Sequence, residues 1–399
     1  MVANIVIVSQ RLLGHVIPIL GVGAELVKRG HSVRMLGHAM NKELVVEAGL
    51  QFSPIGWDKV PNLYMEYMLN DLLRALERSP DLIIADSAQC APAYAAELLG
   101  IPWVSFQTTV PLPDEHLPGG AAANERMRQK YGEQLNAIRS KHGLPPLEHP
   151  IRTRGDFAGL SPFLHLLMVL PELAGSPEAY PPSFCLVGGS SADWRPGLPE
   201  LKFHTTDRLR LVVSTSSVPR IEYREVMNRY VEAAIDVYGR ERPEEAEVWI
   251  CETEPYQAAE PLPAAVHWTS QHPVHHVLLP EAHAAIVHGG CGTLQQCIRF
   301  GVPMVIIPLG ADHPVLAKRC EELGVAVVCP PDRIDGNELK EKVGTLLTGG
   351  YRDRAEMLAR KVSRYTPNET SADGVEMVLE NKCYHKDEGW IDADRNRFF

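Results

Sequence analysis

The sequence predicts an α/β protein built from two doubly wound parallel-sheet domains, and three observations carry that reading. The chain has 399 residues, enough for two domains of ordinary size. Short apolar runs of strand length alternate with longer amphipathic segments in both halves, the pattern of parallel sheets covered on both faces. A stretch rich in Gly, Ser and Pro separates the halves. The expected division is therefore an N-terminal domain over 1–187, a linker over 188–208, a C-terminal domain over 209–366 and a terminal helix and tail over 367–399.

Taken in order, residues 5–8 (IVIV) read as a buried strand, Gly14 and His15 as a loop, and 18–29 as a helix closed by Gly30. A second strand follows at 32–36 and a third at 81–85, then a helix at 92–99 and a strand at 103–106. The second half repeats the scheme: a strand at 209–213, a polar loop at 214–219, a long helix at 222–238, and strands at 247–251, 284–287 and 304–308. Two such sheets facing each other would bring both sets of strand ends to one central cleft, where sheets of this kind bind ligands.

The run His288-Gly289-Gly290-Cys291-Gly292-Thr293 lies between the strand 284–287 and a helix-like segment that ends at Gly301. A Gly-rich turn there aims free backbone N–H groups at one point, and the helix dipole adds roughly half a positive charge. It is a ready-made anion site, to which the His288 ring and the Thr293 hydroxyl can add donors.

Composition narrows the function. Lys and Arg number 39 against 50 Asp and Glu, a net charge of -11, which argues against nucleic acid and anionic membrane as partners. No apolar run reaches the ~18 residues of a membrane span. The first residues start a strand and lack a basic region, so no signal peptide is expected and the expected location is the cytoplasm. Eight cysteines without CxxC pairing fit reduced thiols. His267, His272, His275, His276, His283 and His288 lack the Glu of an H-E-x-x-H helix, and Pro273 interrupts them; they read as loop or surface residues, with no metal site.

Further landmarks stand in order along nearly the whole chain: Gly14-His15-Val16-Ile17-Pro18; 81–86 followed by Gly100-Ile101-Pro102; Val187-Gly188-Gly189 before Asp193-Trp194; Trp268-Thr269-Ser270-Gln271; the glycine-rich turn; Gly301-Val302-Pro303; and Asp312-His313. With these the chain resembles the GT-B glycosyltransferases that use nucleotide sugars, specifically the family with plant and bacterial small-molecule members. Its motifs include G-H-x-x-P, W-x-P-Q and H-G-G-x-G-T. The resemblance implies two Rossmann-like domains, with the last helix packing back on the first. It also implies a metal-free, inverting transfer of a sugar from a thymidine or uridine diphosphate donor to a hydroxyl of a hydrophobic natural product. No cofactor is expected; the partners are the nucleotide sugar and the small-molecule acceptor, with a homodimer as the one protein assembly allowed.

The roles follow position by position. His15 matches the general base and Asp86 its orienting carboxylate, a pairing that fixes the tautomer and raises basicity. His288, Gly290, Cys291, Gly292, Thr293 and Ser217 match the diphosphate cradle, Trp268 the residue stacked on the base, and Gln271 a base or ribose contact. Gln296 stands where the family often has Glu. An amide offers one acceptor oxygen where a carboxylate offers two, which leans toward a deoxyribose. Asp312 and His313 stand where the family has Asp-Gln on the sugar, which points away from plain glucose. The acceptor wall is expected from Trp57, Tyr64, Met68, Gln107 and Thr108. A GT-B sugar-nucleotide epimerase would differ by forming product without acceptor, and a non-catalytic nucleotide-sugar-binding partner protein by failing to hydrolyse the donor slowly.

Overall fold

The computed structural model describes residues 2–55, 65–111, 120–147, 160–176, 180–191, 201–204, 207–218, 221–257, 260–385 and 387–392. The chain divides into two compact units, Met1–Ala192 with Thr366–Phe399, and Asp193–Tyr365.

The first unit runs β1 (Asn4–Val8), α1 (Leu13–Lys28), β2 (Ser32–Gly37), α2 (Lys42–Glu47), β3 (Gln51–Pro54), α3 (Met65–Ala75) and β4 (Leu82–Asp86). It continues through α4 (Cys90–Leu99), β5 (Trp103–Gln107), α5 (Gly120–Lys141), β6 (His165–Leu167), α6 (Pro171–Ala174) and β7 (Phe184–Leu186). Its seven strands pair in parallel in the order β3-β2-β1-β4-β5-β6-β7. Ile5, Val6, Ile7 and Val8 are buried on both faces of this sheet, where β-branched side chains pack well. α4 closes on Gly100, whose φ of 62° is the left-handed cap that glycine adopts without penalty.

The second unit holds β8 (Leu209–Ser214), α7 (Ile221–Ala234), β9 (Ala246–Cys251), β10 (Val266–Thr269), α8 (His275–Leu278), β11 (Ala284–Val287) and α9 (Cys291–Arg299). After these come β12 (Met304–Ile306), α10 (His313–Glu322), β13 (Ala326–Val328), α11 (Gly336–Thr348) and α12 (Tyr351–Val362). The six strands are again parallel, ordered β10-β9-β8-β11-β12-β13. One core cluster joins Leu211, Val213, Val248, Ile250 and Ile286 to Met227 and Tyr230 of α7 and Leu339 and Val343 of α11.

The chain then returns to the first unit as α13 (Pro367–Leu379) and an antiparallel hairpin, β14 (Lys382–His385) and β15 (Gly389–Asp392). The residues after 380 are thus partly a hairpin and not only a tail. α13 lies against α1. Arg29 donates to Asp373 at 2.6 Å and Glu376 at 2.7 Å, and Asn368 Nδ2 donates to the Ser191 carbonyl at 3.1 Å. Gly21 of α1 is required there, because a Cβ would stand 2.3 Å from that same carbonyl oxygen.

Candidate active site

In the first unit, the carboxyl ends of β1 and β4 meet around Asp86. The two strands are neighbours in register, Val8 beside Ala85, so whatever follows Val8 lies beside the last residue of β4. Asp86 is that residue and is fully buried. Its Oδ2 receives the His15 ring at 3.0 Å from Nδ1, the Ser9 hydroxyl at 3.3 Å and the Gln10 N–H at 3.3 Å; its Oδ1 accepts from the Ala88 N–H at 3.0 Å. Burial alone would raise the carboxyl. The charge and hydrogen bond of His15, with the Ala88 and Gln10 N–H groups, outweigh it and hold Asp86 below the ordinary carboxylate range. An ionised Asp86 fixes His15 with its proton on Nδ1 and the lone pair on Nε2.

His15 is not in a loop, as its neighbour Gly14 suggested. α1 begins at Leu13, and His15 occupies its first turn. Leu12 caps the helix without a side-chain hydrogen bond, so the usual polar start signal is missing from the sequence.

In the second unit, three adjacent strand ends converge. β11 leads into His288, whose ring is buried and reaches the Ser214 carbonyl at the end of β8, with Nδ1 3.5 Å from the oxygen. Burial first, and His313 second, push the His288 pKa down to about 3 despite that carbonyl. The ring is therefore neutral near pH 7. Gly289 takes φ +90°, and a Cβ on it would touch His313 Cβ at 3.0 Å. A Cβ on Gly290 would stand 2.3 Å from His288 Nε2, so this glycine lets the imidazole lie against the turn. Gly290 caps α9, leaving the first helical N–H groups, at Cys291, Gly292 and Thr293, without intrahelical partners. Among the described residues a Cβ on Gly292 would meet nothing within 4 Å, so no contact there demands that glycine.

Around this turn, Ser217 is half-buried in the loop after β8. Asp312 caps α10, and His313 opens it with its ring 5.4 Å from His288. Asp312 lies close enough to Cys291 to join burial in pushing that thiol well up, which keeps it neutral. Gln296 is half-buried one turn after Thr293 on the same side of α9. Trp268 lies on β10, two strands from β8, and Gln271 follows that strand. The Trp268 indole packs on Tyr256 at 5.2 Å and donates to the Glu254 carbonyl at 2.9 Å, while Gln271 Oε1 is buried without a hydrogen-bond partner among the described residues. The segment after Gln271 returns to β8, where His275 Nε2 lies 3.0 Å from the Ser214 hydroxyl.

Of the expected acceptor residues, Trp57 and Tyr64 lie outside the described residues. Met68 is buried in α3, and Gln107 and Thr108 are buried at the end of β5, which runs beside β4. Ser9, Gln10 and Gln89 were not singled out by the sequence reading. Gln10 and Gln89 share with Gln107 a buried carboxamide oxygen that has no partner among the described residues, and all three follow or end strands next to Asp86. Their only sequence signal was a position just after a strand. Of the histidines expected on loops or surface, His267 is on β10, His275 and His276 are in α8, and His288, in the turn, is buried. All eight cysteines are free thiols. Among the described residues no helix is long and apolar enough to cross a membrane.

Comparison with known proteins points to glycosyltransferases. Residues 13–104 match the model of the glycosyltransferase family 28 N-terminal domain, and residues 244–377 that of the erythromycin biosynthesis protein CIII-like C-terminal domain. The chain is 26% identical over 402 residues to O-mycaminosyltylonolide 6-deoxyallosyltransferase of Streptomyces fradiae, covering 86% of this chain and 90% of the relative. Among solved structures, the glycosyltransferase of kitacinnamycin superposes with a TM-score of 0.78 at 22% identity, over 94% of this chain and 98% of that one. The glycosyltransferase VinC, solved in complex with dTDP, does so at 0.69 and 20% identity, over 94% and 99%. The chain is a glycosyltransferase of the GT-B fold, whose N-terminal half matches the family 28 N-terminal domain and whose C-terminal half matches the CIII-like C-terminal domain.

Proposed function

We propose that the chain transfers a sugar from a thymidine or uridine diphosphate donor to a hydroxyl of a hydrophobic small-molecule natural product, with inversion and without a metal at the reacting centre. The observation that carries this reading is the His15–Asp86 pair, with Nδ1 and Oδ2 3.0 Å apart on a fully buried carboxylate. The acceptor oxygen attacks the anomeric carbon, its proton passes to His15 Nε2, and the bond to the diphosphate breaks with its electron pair on the phosphate oxygen. The N–H groups opening α9, with Ser217, receive that developing charge. His288, Gly290, Cys291, Gly292 and Thr293 form the cradle. Trp268 and Gln271 take the base, Gln296 the ribose, and Asp312 and His313 the sugar.

His288 has a specific requirement in this scheme. Its Nδ1–H is directed to the Ser214 carbonyl, so Nε2 carries a lone pair that cannot donate to phosphate. The ring becomes a donor only by taking up a proton there, which the charge of a diphosphate favours. On the acceptor side, the carboxamides of Gln10, Gln89 and Gln107 supply polar contacts beside the base, and Met68 and Thr108 part of the wall. The dTDP bound to VinC and the deoxysugar in the name of the Streptomyces fradiae relative both favour a thymidine donor here.

A thermal-shift screen against nucleoside diphosphates, followed by donor and acceptor turnover with NMR of the new glycosidic bond, tests the reading. We expect dTDP or UDP to raise Tm by mass action and the product to have the opposite anomeric configuration to the donor. No shift with any nucleoside diphosphate, or a retained configuration, overturns it.

A further inference from the structure

Glu247 is an outlier on the second sheet. It is the second residue of β9 and only 2% exposed, and two histidines converge on its carboxylate. His204 Nδ1 lies 2.9 Å and His267 Nε2 3.0 Å from the same oxygen, Oε1, and the His204 backbone N–H donates to Oε1 and Oε2 at 2.9 Å each. The two imidazoles stand 5.0 Å apart between ring centres. One ligand atom from each of the three residues lies within 4.8 Å of the other two.

The strand register separates this cluster from the residues assigned to the donor. His267 pairs with Trp249, and side chains alternate, so Glu247, Trp249 and His267 share the face opposite Val248, Ile250 and Trp268. Glu247 also stands near the start of β9, whereas the residues proposed for the donor lie near or beyond strand ends. Two surrounding contacts hold the ligands in place. The Trp249 ring packs 4.9 Å from His267, and its Nε1–H donates to the Lys202 carbonyl at 3.2 Å, fixing the segment that carries His204.

A cation at the point where the two imidazole nitrogens and Oε1 converge would be held by a lone pair from each ring and by the buried carboxylate, in place of the ring protons that otherwise lie between them. We propose that His204, Glu247 and His267 form a binding site for one divalent transition-metal ion of the zinc class. Two imidazole nitrogens and one carboxylate oxygen are the donor set such ions prefer and Mg2+ does not. The His204 side chain is 56% exposed and His267 26%, which gives the ion an access route and leaves room for water as a further ligand. The ion is structural: it ties residues 201–204 to the β9–β10 edge and takes no part in sugar transfer.

The test uses the full-length, untagged protein, dialysed against EDTA and titrated with zinc chloride by calorimetry, with Tm followed in parallel. One equivalent of zinc binding, a zinc-dependent rise in Tm and no comparable effect of magnesium chloride are expected. His204→Ala keeps the backbone N–H bonds to Glu247 and removes an exposed ring, so it should fold; it and His267→Ala should each weaken zinc binding by at least ~100-fold. Absence of a zinc-dependent heat, equal binding of Mg2+, or zinc binding that survives in the His204→Ala/His267→Ala double variant, as capture by cysteine thiols would, overturns the site.

Discussion

Replacing Asp86 by Asn changes one atom and no volume, and its consequences can be worked from the contacts. Oδ2 receives three donors, from His15, Ser9 and Gln10, while Oδ1 receives one, from Ala88. The amide will therefore keep its single oxygen on the crowded side and turn its NH2 toward the Ala88 N–H. Two buried donors then face each other, at a cost of roughly 1–3 kcal/mol. With ~2–4 °C lost per kcal/mol for domains of this size, Tm should fall by several degrees. The His15 tautomer survives, but the charge that stabilises the imidazolium is gone. A charge partner of this kind is worth about 1–3 pK units at ~1.4 kcal/mol each, so the plateau of kcat should drop by about 10- to 1000-fold. Loss of the anion also makes the base harder to protonate, so the acid limb of kcat/KM must move to lower pH. The assay is a pH series of initial transfer rates on both proteins. An unchanged plateau, or a limb that stays put or moves to higher pH, refutes Asp86 as the partner of the base.

Other expectations follow from the second unit. Gly290→Ala places a methyl 2.3 Å from His288 Nε2, so the ring or the turn must shift, and dTDP affinity should fall at least about tenfold by calorimetry; unchanged affinity would remove this turn from the donor site. Because His288 is neutral before the donor arrives, nucleotide binding at pH 6–7 should take up protons, seen as binding enthalpies that vary with buffer ionisation enthalpy in wild type and not in His288→Gln. Stability should decline on acidification in two windows. His288 has a folded pKa of about 3 against ~6.5 unfolded, so the unfolded chain binds more protons between those values and stability is lost as pH falls through them, on the order of a few kcal/mol. Asp86, depressed in the folded state, contributes stability that persists above its ordinary range near 3.8 and is lost only below it. Urea midpoints from pH 7 to 4 check the first window, and a wild-type curve parallel to that of His288→Gln would contradict it.

The central strands were legible because β-branched runs such as 5–8 and 284–287 leave few other conformations, whereas β3, β6, β7, β10 and β13, only three or four residues long, were not; the glycine-rich turn was legible because strand, glycines and helix stand next to one another. The start of α1 was not, since Leu12 offers no capping side chain. The partners of Asp86 were only half visible: His15 belongs to a motif, but Ser9 and Gln10 reach the carboxylate through the β1–β4 register, which pairs segments 77 and 76 residues apart. The His204, Glu247 and His267 cluster was invisible for the same reason. His204 and Glu247 are 43 residues apart, and no local spacing announces that adjacent strands will carry Glu247 and His267 to one face. The terminal hairpin after α13 was missed because Tyr384 and Trp390, which pack together across it, sit among charged residues that read as a tail.

The most direct measurement compares His15→Ala with wild type in two assays on the same preparation, sugar transfer and the rise of Tm with dTDP or UDP. Removing the base should cost transfer about 100- to 10,000-fold and leave the nucleotide response intact, because the residues proposed to hold the donor belong to the other unit. Transfer within a few-fold of wild type would contradict the assignment of His15 as the general base.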